Sequence, residues 1–142
     1  MATNFKLSNA AASACAGNGV NLGLLPLLAG AKIHLYDGTQ PTHPDIAIGT
    51  SYNDFCSAVP VTLASPAGTV SNGVITMGTV TSGTCTYTGT PTWFRIYASD
   101  GSTVLADGTV GEAGCDLNFN TTDFISGGTI AVSSWTITVP AH

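Results

Sequence analysis

WFRIYASDGSTVLA, residues 93–106, contains two apolar, β-favouring runs separated by a short polar stretch. Asp-Gly between such runs is a strong local signal for a β-hairpin, because both residues of a tight two-residue turn need positive φ. A turn of this kind places Ile96 opposite Leu105 and Tyr97 opposite Val104. The segment therefore predicts an antiparallel hairpin.

Strand patterns continue on both sides of this hairpin. Alternating apolar residues bounded by turn residues predict further strands at 32–36, 59–63 and 74–77. A second Asp-Gly, at Asp107-Gly108, is predicted to end the return strand of the hairpin. Roughly seven short strands with glycine-rich turns indicate an all-β fold, either an antiparallel β-sandwich or a partly open barrel.

Two stretches depart from simple alternation. Threonine occupies every even position from 84 to 92, and an unbroken strand would place these hydroxyls on one face, although Gly89 and Pro91 indicate a bend. Such a face is most often solvated, and less often binds glycans or ice. Near the end of the chain, apolar residues alternate in one phase up to Val132 and in the other from Trp135. The change at Ser133-Ser134 predicts a β-bulge.

The first thirty residues have a different composition. Ser8 can cap a short alanine-rich helix over 9–16, with Gly17 as its stop. So short a helix is not stable alone and has to dock on something, in the same subunit or in another. The leucine-rich stretch after Gly23 could supply that dock. We therefore expect an N-terminal arm with a short helix over 1–30 and an antiparallel β domain over 31–142.

Charged residues are scarce in this chain. They make up 8% of it, against about 25% in typical soluble domains, and hydrophobic residues make up 44%. Threonine, serine, asparagine and glycine fill the surface instead. Uncharged hydroxyls and amides lose less free energy on desolvation than charges do, which favours packing against neighbouring subunits. The alternative is a secreted protein with a neutral surface.

The sign of the charge excludes two classes of partner. The net charge is −5, and the cations are Lys6, Lys32 and Arg95. So few cations cannot supply the counterion release on which nucleic acid binding depends, nor the attraction to an anionic membrane. The N-terminus lacks the pattern of a signal peptide, and Pro26 interrupts a leucine run that is too short to span a bilayer. We therefore expect synthesis in a cytosol, without export.

No arrangement of residues predicts catalysis, a cofactor or a metal. The three histidines, His34, His43 and His142, lie outside any nucleophile motif. Most aspartates stand in turn sequences, and none belongs to a calcium-loop pattern. Trp93 and Trp135 share the phase of apolar neighbours and are predicted to be core residues. These residues indicate a protein that is not an enzyme.

The order of several short motifs resembles a family of small virion structural proteins of tailed bacteriophages and prophages. The motifs are W-F-R-I-x-x-x-D-G from Trp93, D-G-x-V-G from Asp107, D-L-N-x-N-T-T from Asp116 and S-S-W-T-I-T-V-P from Ser133. L-S-N-A-A from Leu7 and L-Y-D-G-T-Q-P from Leu35 also fit. The resemblance covers most of the chain, and its motifs mark strands and turns instead of a reaction.

The resemblance implies a virion protein that is assembled in the host cytoplasm. The leading hypothesis is a capsid decoration (cement) protein that binds the major capsid protein or other virion subunits, with copies arranged around a symmetry axis and a trimer favoured. Alternatives are a tail component (tube, terminator or tip) or a carbohydrate- or receptor-binding module. The residues predicted to contact partners are Phe5, Leu7, Leu22, Leu24, Leu25 and Leu27.

Four cysteines leave the redox state open. Their spacing contains no C-x-x-C, which argues against zinc, and a cytosolic origin predicts thiols, with buried cysteine acting as a small hydrophobe. Cys85 and Cys115 stand where the resemblance implies small residues. That departure suggests particle-specific cross-links, with Cys85–Cys115 and Cys15–Cys56 as the hypothetical pairs.

Overall fold

The computed structural model describes residues 4–16, 23–132 and 135–138, and these form an all-β fold with two short helices, as predicted. None of the helices in these ranges has the length and hydrophobicity needed to cross a membrane. The helices are α1 (Asn9–Cys15) and α2 (Leu24–Leu27). The strands are β1 (Lys6–Leu7), β2 (Lys32–Tyr36), β3 (Val61–Leu63), β4 (Gly68–Ser71), β5 (Val74–Met77), β6 (Val80–Thr81), β7 (Gly83–Thr84), β8 (Trp93–Tyr97), β9 (Val104–Gly111), β10 (Leu117–Asn118), β11 (Thr129–Ile130) and β12 (Thr136–Thr138).

The strands form three sheets. The seven-stranded sheet has the order β1-β9-β8-β2-β3-β6, and β10 pairs in parallel with the far end of β9. A three-stranded sheet has the order β12-β5-β4, and β11 pairs with β7 in a two-stranded sheet. The strands at 32–36 and 74–77 are confirmed with the predicted bounds. The segment predicted at 59–63 forms a strand only from Val61, directly after Pro60.

The central hairpin of β8 and β9 is confirmed, but its predicted register is half wrong. Tyr97 pairs with Val104 as expected, whereas Ile96 pairs with Ala106 because a bulge shifts the register between Ile96 and Tyr97. The turn is also wider than a two-residue loop. The amide of Gly101 donates to the carbonyl of Ala98, and Gly101 takes the positive φ of 77°.

The side chain of Asp100 organises this turn. Its carboxylate accepts hydrogen bonds from the Thr103 hydroxyl at 2.6 Å and from the backbone amides of Ser102 and Thr103 at 2.8 and 2.9 Å. These bonds, the one from the Thr103 hydroxyl first, lower the pKa of Asp100 to about 2. The ionised carboxylate therefore stabilises this wider turn, in which Gly101 has positive φ and Asp100 does not.

The predicted strand end at Asp107-Gly108 is wrong, because β9 continues to Gly111. Asp107 is fully buried opposite Arg95, so its carboxylate has a partner inside the sheet. Gly108 lies against the ring of Phe94, where a Cβ atom would be only 2.5 Å from a ring carbon. Asp107-Gly108 is a typical turn sequence, but here both residues lie within β9, where Asp107 bonds Arg95 and Gly108 packs against Phe94.

Both faces of the seven-stranded sheet are covered, and they differ in chemistry. One face carries apolar residues such as Ile33, Leu35 and Phe94, which belong to the hydrophobic core. The other carries Arg95 and Asp107, with Nε–Oδ1 and Nη2–Oδ2 distances of 2.6 and 2.8 Å. The irregular loop over residues 37–54 packs on this second face through an Arg95 Nη1 bond to the Ile46 carbonyl and a Trp93 Nε1 bond to the Asp37 carbonyl.

The described part of the predicted arm lies against the β domain. α1 begins after Ser8, whose hydroxyl accepts the Ala11 amide at 3.1 Å, so the predicted helix and its cap are confirmed. The predicted stop at Gly17 lies outside the described residues. β1 pairs with β9, and Ala11 and Leu28 are fully buried in the core. The helix therefore docks within its own subunit.

The threonine-rich segment 84–92 is not an unbroken strand. Only Thr84 lies in a strand, since the backbone then pairs in turn with Gly128, Phe55 and Phe124. The Thr86 hydroxyl donates to the carbonyl of Asp54, and the Thr92 hydroxyl to that of Gly38. The Thr88 hydroxyl accepts the Ser126 amide, so three of the five threonine hydroxyls make internal bonds, whereas Thr84 and Thr90 are exposed.

The change of phase near the C-terminus accompanies a change of sheet. Ile130 lies in β11 and is buried beside β7, whereas Ile137 lies in β12 and is buried beside β5. Ser133-Ser134, where a bulge was predicted, lies outside the described residues. Trp93 and Trp135 are confirmed as core residues, with exposed fractions of 0% and 5%.

Breaking the buried ion pair should be costly. Asp107→Ala leaves the Arg95 guanidinium buried without a counter-charge, so we expect the free energy of unfolding to fall by about 3–5 kcal/mol in urea denaturation. The double variant Arg95→Met/Asp107→Leu removes both charges and should recover most of that loss. An Asp107→Ala protein as stable as the wild type would contradict this account.

The Asp100 turn predicts a pH-dependent contribution to stability. Because the folded pKa is below the usual value near 4, the stabilisation is complete at neutral pH and disappears as the pH falls from about 4 to about 2. Asp100→Asn should therefore have a lower Tm than the wild type at pH 7 and nearly the same Tm at pH 2. A Tm difference that is constant across this range would count against the assignment.

Candidate subunit-contact surface

Nearly all charged side chains of this protein are engaged in hydrogen bonds within the chain. Each of the three cations and seven of the eight carboxylates bonds another group of the chain, usually a loop. Lys6 donates to the Thr42 carbonyl, Lys32 to the Ser99 carbonyl, and the Asn9 amide donates to Asp45. The charges therefore hold loops in place, and in the described residues Arg95 and Asp107 form the one pair of a lysine or arginine with a carboxylate.

The charges are also confined to one part of the fold. No Asp, Glu, Lys, Arg or His occurs in the segments 7–31, 55–94 and 124–141. Both helices and all described strands of the two smaller sheets are formed from these segments, whereas the charged residues that the structure describes lie on the seven-stranded sheet or in a loop outside them. We call the three-stranded sheet together with α2 the neutral surface.

The outer face of the three-stranded sheet carries hydroxyl groups. Thr69, Thr76 and Thr136 lie side by side across β4, β5 and β12, and all three are exposed. In the next row, Ser71 and Thr138 lie on either side of Val74. The inner face of the same sheet places Ile75 and Ile137 in the core. Alternation along short strands thus produces the exposed threonine face that was expected elsewhere, at 84–92.

An apolar groove of about 290 Å³ runs beside this sheet. It lies between α2 and the β4–β5 hairpin, and its walls include Leu24, Leu25 and Pro26 on one side and Val70 and Ile75 on the other. Val70 is 53% exposed at the rim, whereas Ile75 is 2% exposed at the base. The groove therefore presents apolar surface to solvent next to the neutral hydroxyl face.

The residues predicted to contact partners have different positions. Leu24 and Leu25 line the groove, so two of them lie together on the neutral surface. Phe5, Leu7 and Leu27 are half-buried against the core of their own subunit. Leu22 lies outside the described residues. Sequence reasoning missed Val70 and Ile75, because an isolated hairpin pattern does not indicate which element packs beside it.

The cysteines differ in exposure. Cys15, Cys56 and Cys85 are thiols in the structure, so neither hypothetical disulfide is formed there, and both pairings stay predictions. Cys15 is exposed on α1, and the buried Cys85 Sγ donates to the Tyr87 carbonyl at 3.0 Å. Burial raises the pKa of the Cys56 thiol to about 11, which makes this thiol unreactive at neutral pH.

The pair His34 and Asp54 is the arrangement closest to acid–base chemistry. Nδ1 of His34 is 2.8 Å from Oδ2 of Asp54, and the imidazole meets Tyr97 edge to face with ring centroids 5.3 Å apart. The Tyr36 hydroxyl bonds that of Tyr97, and burial raises the pKa of Tyr36 far above its usual value. The pair joins the loop 37–54 to β2, so its evident role is to anchor that loop.

A polar cleft of about 430 Å³ borders the hydroxyl face at Thr136. Its lining also includes Glu112, Asp116, Asn118, Phe119, Asn120 and Trp135, so two carboxylates lie beside that face. The Asn118 amide is fixed by bonds to the backbone of Cys115, and Glu112 accepts from the Thr122 amide. Nowhere in the described ranges do three or more His, Cys, Asp or Glu side chains group as metal ligands would.

No family model, curated protein or solved structure matches this chain. Its function therefore has to be inferred from its own residues and their arrangement.

Cysteine exposure predicts an order of chemical labelling. At pH 8 iodoacetamide should modify Cys15 in the native protein, whereas Cys56 should react only after unfolding, since its thiol is buried and its pKa is raised to about 11. Mass spectrometry of peptides locates the label, and Cys15→Ser is the control that should remove the fast reaction. Labelling of Cys56 as fast as Cys15 in native protein would contradict the described burial.

Proposed function

We propose that this protein is a structural subunit of a tailed-bacteriophage virion, and in particular a decoration protein that binds the outer face of the capsid. The observation that carries the proposal is the separation of charge from the neutral surface. Charged side chains are used for internal loop anchoring, and an uncharged hydroxyl face adjoins an exposed apolar groove. The motif resemblance from Trp93 to Trp135 supports the same assignment.

Such a surface suits burial against other subunits. Stable protein interfaces bury about 800 Å² on each partner, and apolar area contributes about 25 cal/mol per Å² before the costs of association. Threonine hydroxyls can exchange bonds with water for bonds with a neighbour, whereas an unpaired lysine or aspartate would lose several kcal/mol. The neutral surface therefore gains from contact without needing a charged partner.

In this role the protein would stabilise the particle by mass action. A subunit that binds the assembled capsid but not its dissociated components shifts the equilibrium towards the assembled form. The partner is the major capsid protein or another virion subunit. Disruption of the particle would then have to break the contacts of each bound copy as well as those of the capsid.

A tail component is the second proposal within the virion, since a tube or tip subunit needs the same neutral contacts. The position of the protein in reconstructed particles distinguishes head from tail. A carbohydrate-binding module is a proposal of another class, and the polar cleft favours it. Carboxylate and amide side chains beside the half-buried ring of Phe119 are groups that recognise sugars. Binding of isolated protein to a glycan array would support this class.

A charge placed on the neutral surface tests the decoration role. Thr76 is exposed at the centre of the hydroxyl face, and Thr50 is exposed in the loop 37–54 outside it. Thr76→Lys should raise the Kd for capsids assembled without the protein by at least about tenfold, which corresponds to about 1.4 kcal/mol, because a lysine would be buried without a partner. Quantitative gel analysis of particles incubated at a series of protein concentrations measures the occupancy and hence the Kd.

The matched variant Thr50→Lys adds the same charge away from the neutral surface and should bind like the wild type. Equal occupancy for wild type, Thr76→Lys and Thr50→Lys would refute the assignment of this face.

A further inference from the structure

The free edge of the three-stranded sheet is the most distinctive unassigned feature. β4 pairs with β5 and stands at the end of the order β12-β5-β4. The hairpin turns at Asn72 and Gly73, both with positive φ, and Ser71 pairs with Val74 across the turn. In a two-residue hairpin the residues flanking the turn exchange hydrogen bonds, and the pattern then alternates.

This alternation fixes which backbone groups of β4 face outwards. Ser71 and Thr69 bond β5, so the N–H and C=O groups of Val70 and Gly68 point away from it. The hydrogen bonds on the other side of β5 are consistent with this pattern. The Met77 amide donates to the Trp135 carbonyl beside β12, so the odd-numbered residues of β5 bond towards β12 and the even-numbered ones bond β4. The edge thus offers two residues with donors and acceptors aimed at an incoming strand.

Among the described residues, β4 has neither the lysine nor the proline that often protects an edge strand, although it is only four residues long and α2 packs beside it. Natural edge strands usually carry lysine, proline or a covering element. β4 consists of glycine, threonine, valine and serine, and its last three residues are exposed. The apolar groove beside it contains the rim residue Val70. A strand that pairs here would also cover apolar area.

We propose that β4 pairs antiparallel with β4 of a second copy of this chain, across a twofold axis at Thr69. A second copy is the occupant that the charges favour. Two molecules with a net charge of −5 repel each other, yet the segments that form this edge and its groove contain no charged residue, so the edge is where two copies can approach at the least electrostatic cost.

A twofold axis through any residue of β4 keeps paired residues on one face of the joined sheet, and the axis at Thr69 is the one that pairs both outward-facing residues, Gly68 and Val70. Thr69 then lies opposite Thr69 of the second copy, and Val70 lies opposite Gly68. Both outward-facing residues exchange N–H···O=C bonds in this register. Gly68 leaves room for the facing Val70 beside the groove, and the row of Thr69, Thr76 and Thr136 continues across the axis into the second copy.

This contact extends the proposed function, because the hydroxyl face that would meet the capsid becomes the continuous outer face of two subunits. It also predicts a dimer instead of the trimer expected from the sequence. The contact forms in purified protein without particles, so its failure can be distinguished from failure of capsid binding.

The first test is the molecular mass in solution. Wild-type protein should have twice the 14.3 kDa chain mass by light scattering coupled to gel filtration. Thr69→Lys places two lysines face to face at the axis and should be monomeric. Thr76→Lys adds the same charge on the same face one strand inwards and should stay dimeric, with circular dichroism confirming that both variants are folded. A monomeric or trimeric wild type, or a dimeric Thr69→Lys, would overturn the proposal.

A cysteine at the axis tests the register itself. Directly opposed residues that do not exchange hydrogen bonds have Cα atoms about 4.5 Å apart, within the range of about 4.4–6.8 Å for disulfides. In a Cys15→Ser background, which removes the exposed thiol of α1, Thr69→Cys should form an intermolecular disulfide as diamide takes up the hydrogens of the two thiols. Thr76→Cys should remain uncross-linked. Cross-linking at 76 but not at 69 would refute this register.

Discussion

The buried ion pair of Arg95 and Asp107 is the constraint on which the second face of the main sheet depends. Arg95 Nε and Nη2 bond both carboxylate oxygens, Nη1 bonds the Ile46 carbonyl, and the guanidinium lies 5.6 Å from the centre of the Trp93 ring. Burying two charges costs several kcal/mol per ion unless their bonds are satisfied. Here three directed bonds satisfy the guanidinium, and one of them holds the loop 37–54 over the sheet.

Other charged side chains hold the loop 37–54 at further points. His34 bonds Asp54, Asp37 accepts from Asn53, and Lys6 reaches the Thr42 carbonyl from β1. The few charged residues of the chain thus stabilise an irregular segment that has no regular backbone pairing of its own. Because charged residues make up only 8% of the chain, its surface is dominated by hydroxyl, amide and apolar groups.

The lack of charge on the neutral surface supports both of its proposed roles, contact with the capsid and contact with a second copy. Short-strand alternation places threonines outwards and isoleucines inwards in the three-stranded sheet, and α2 adds an apolar groove at its side. The strands of this face contain no Asp, Glu, Lys, Arg or His. The face suits contact with other subunits, where the absence of charge removes the largest cost of desolvation. An edge strand without lysine or proline, β4, offers backbone groups for directional pairing.

Local patterns in the sequence determined the all-β class, the capped helix after Ser8, the strands at 32–36 and 74–77 and the pairing of Tyr97 with Val104. These features follow from side-chain period and turn chemistry within a few residues. Only the tertiary structure decided that Asp107 is an ion-pair partner instead of a turn residue, and that the exposed threonine face lies on β4, β5 and β12 instead of 84–92. The physical reason is distance along the chain. Arg95 opposes Asp107 through the register of a bulged hairpin, and Thr136 aligns with Thr76 through pairing across sixty positions, which no local preference encodes.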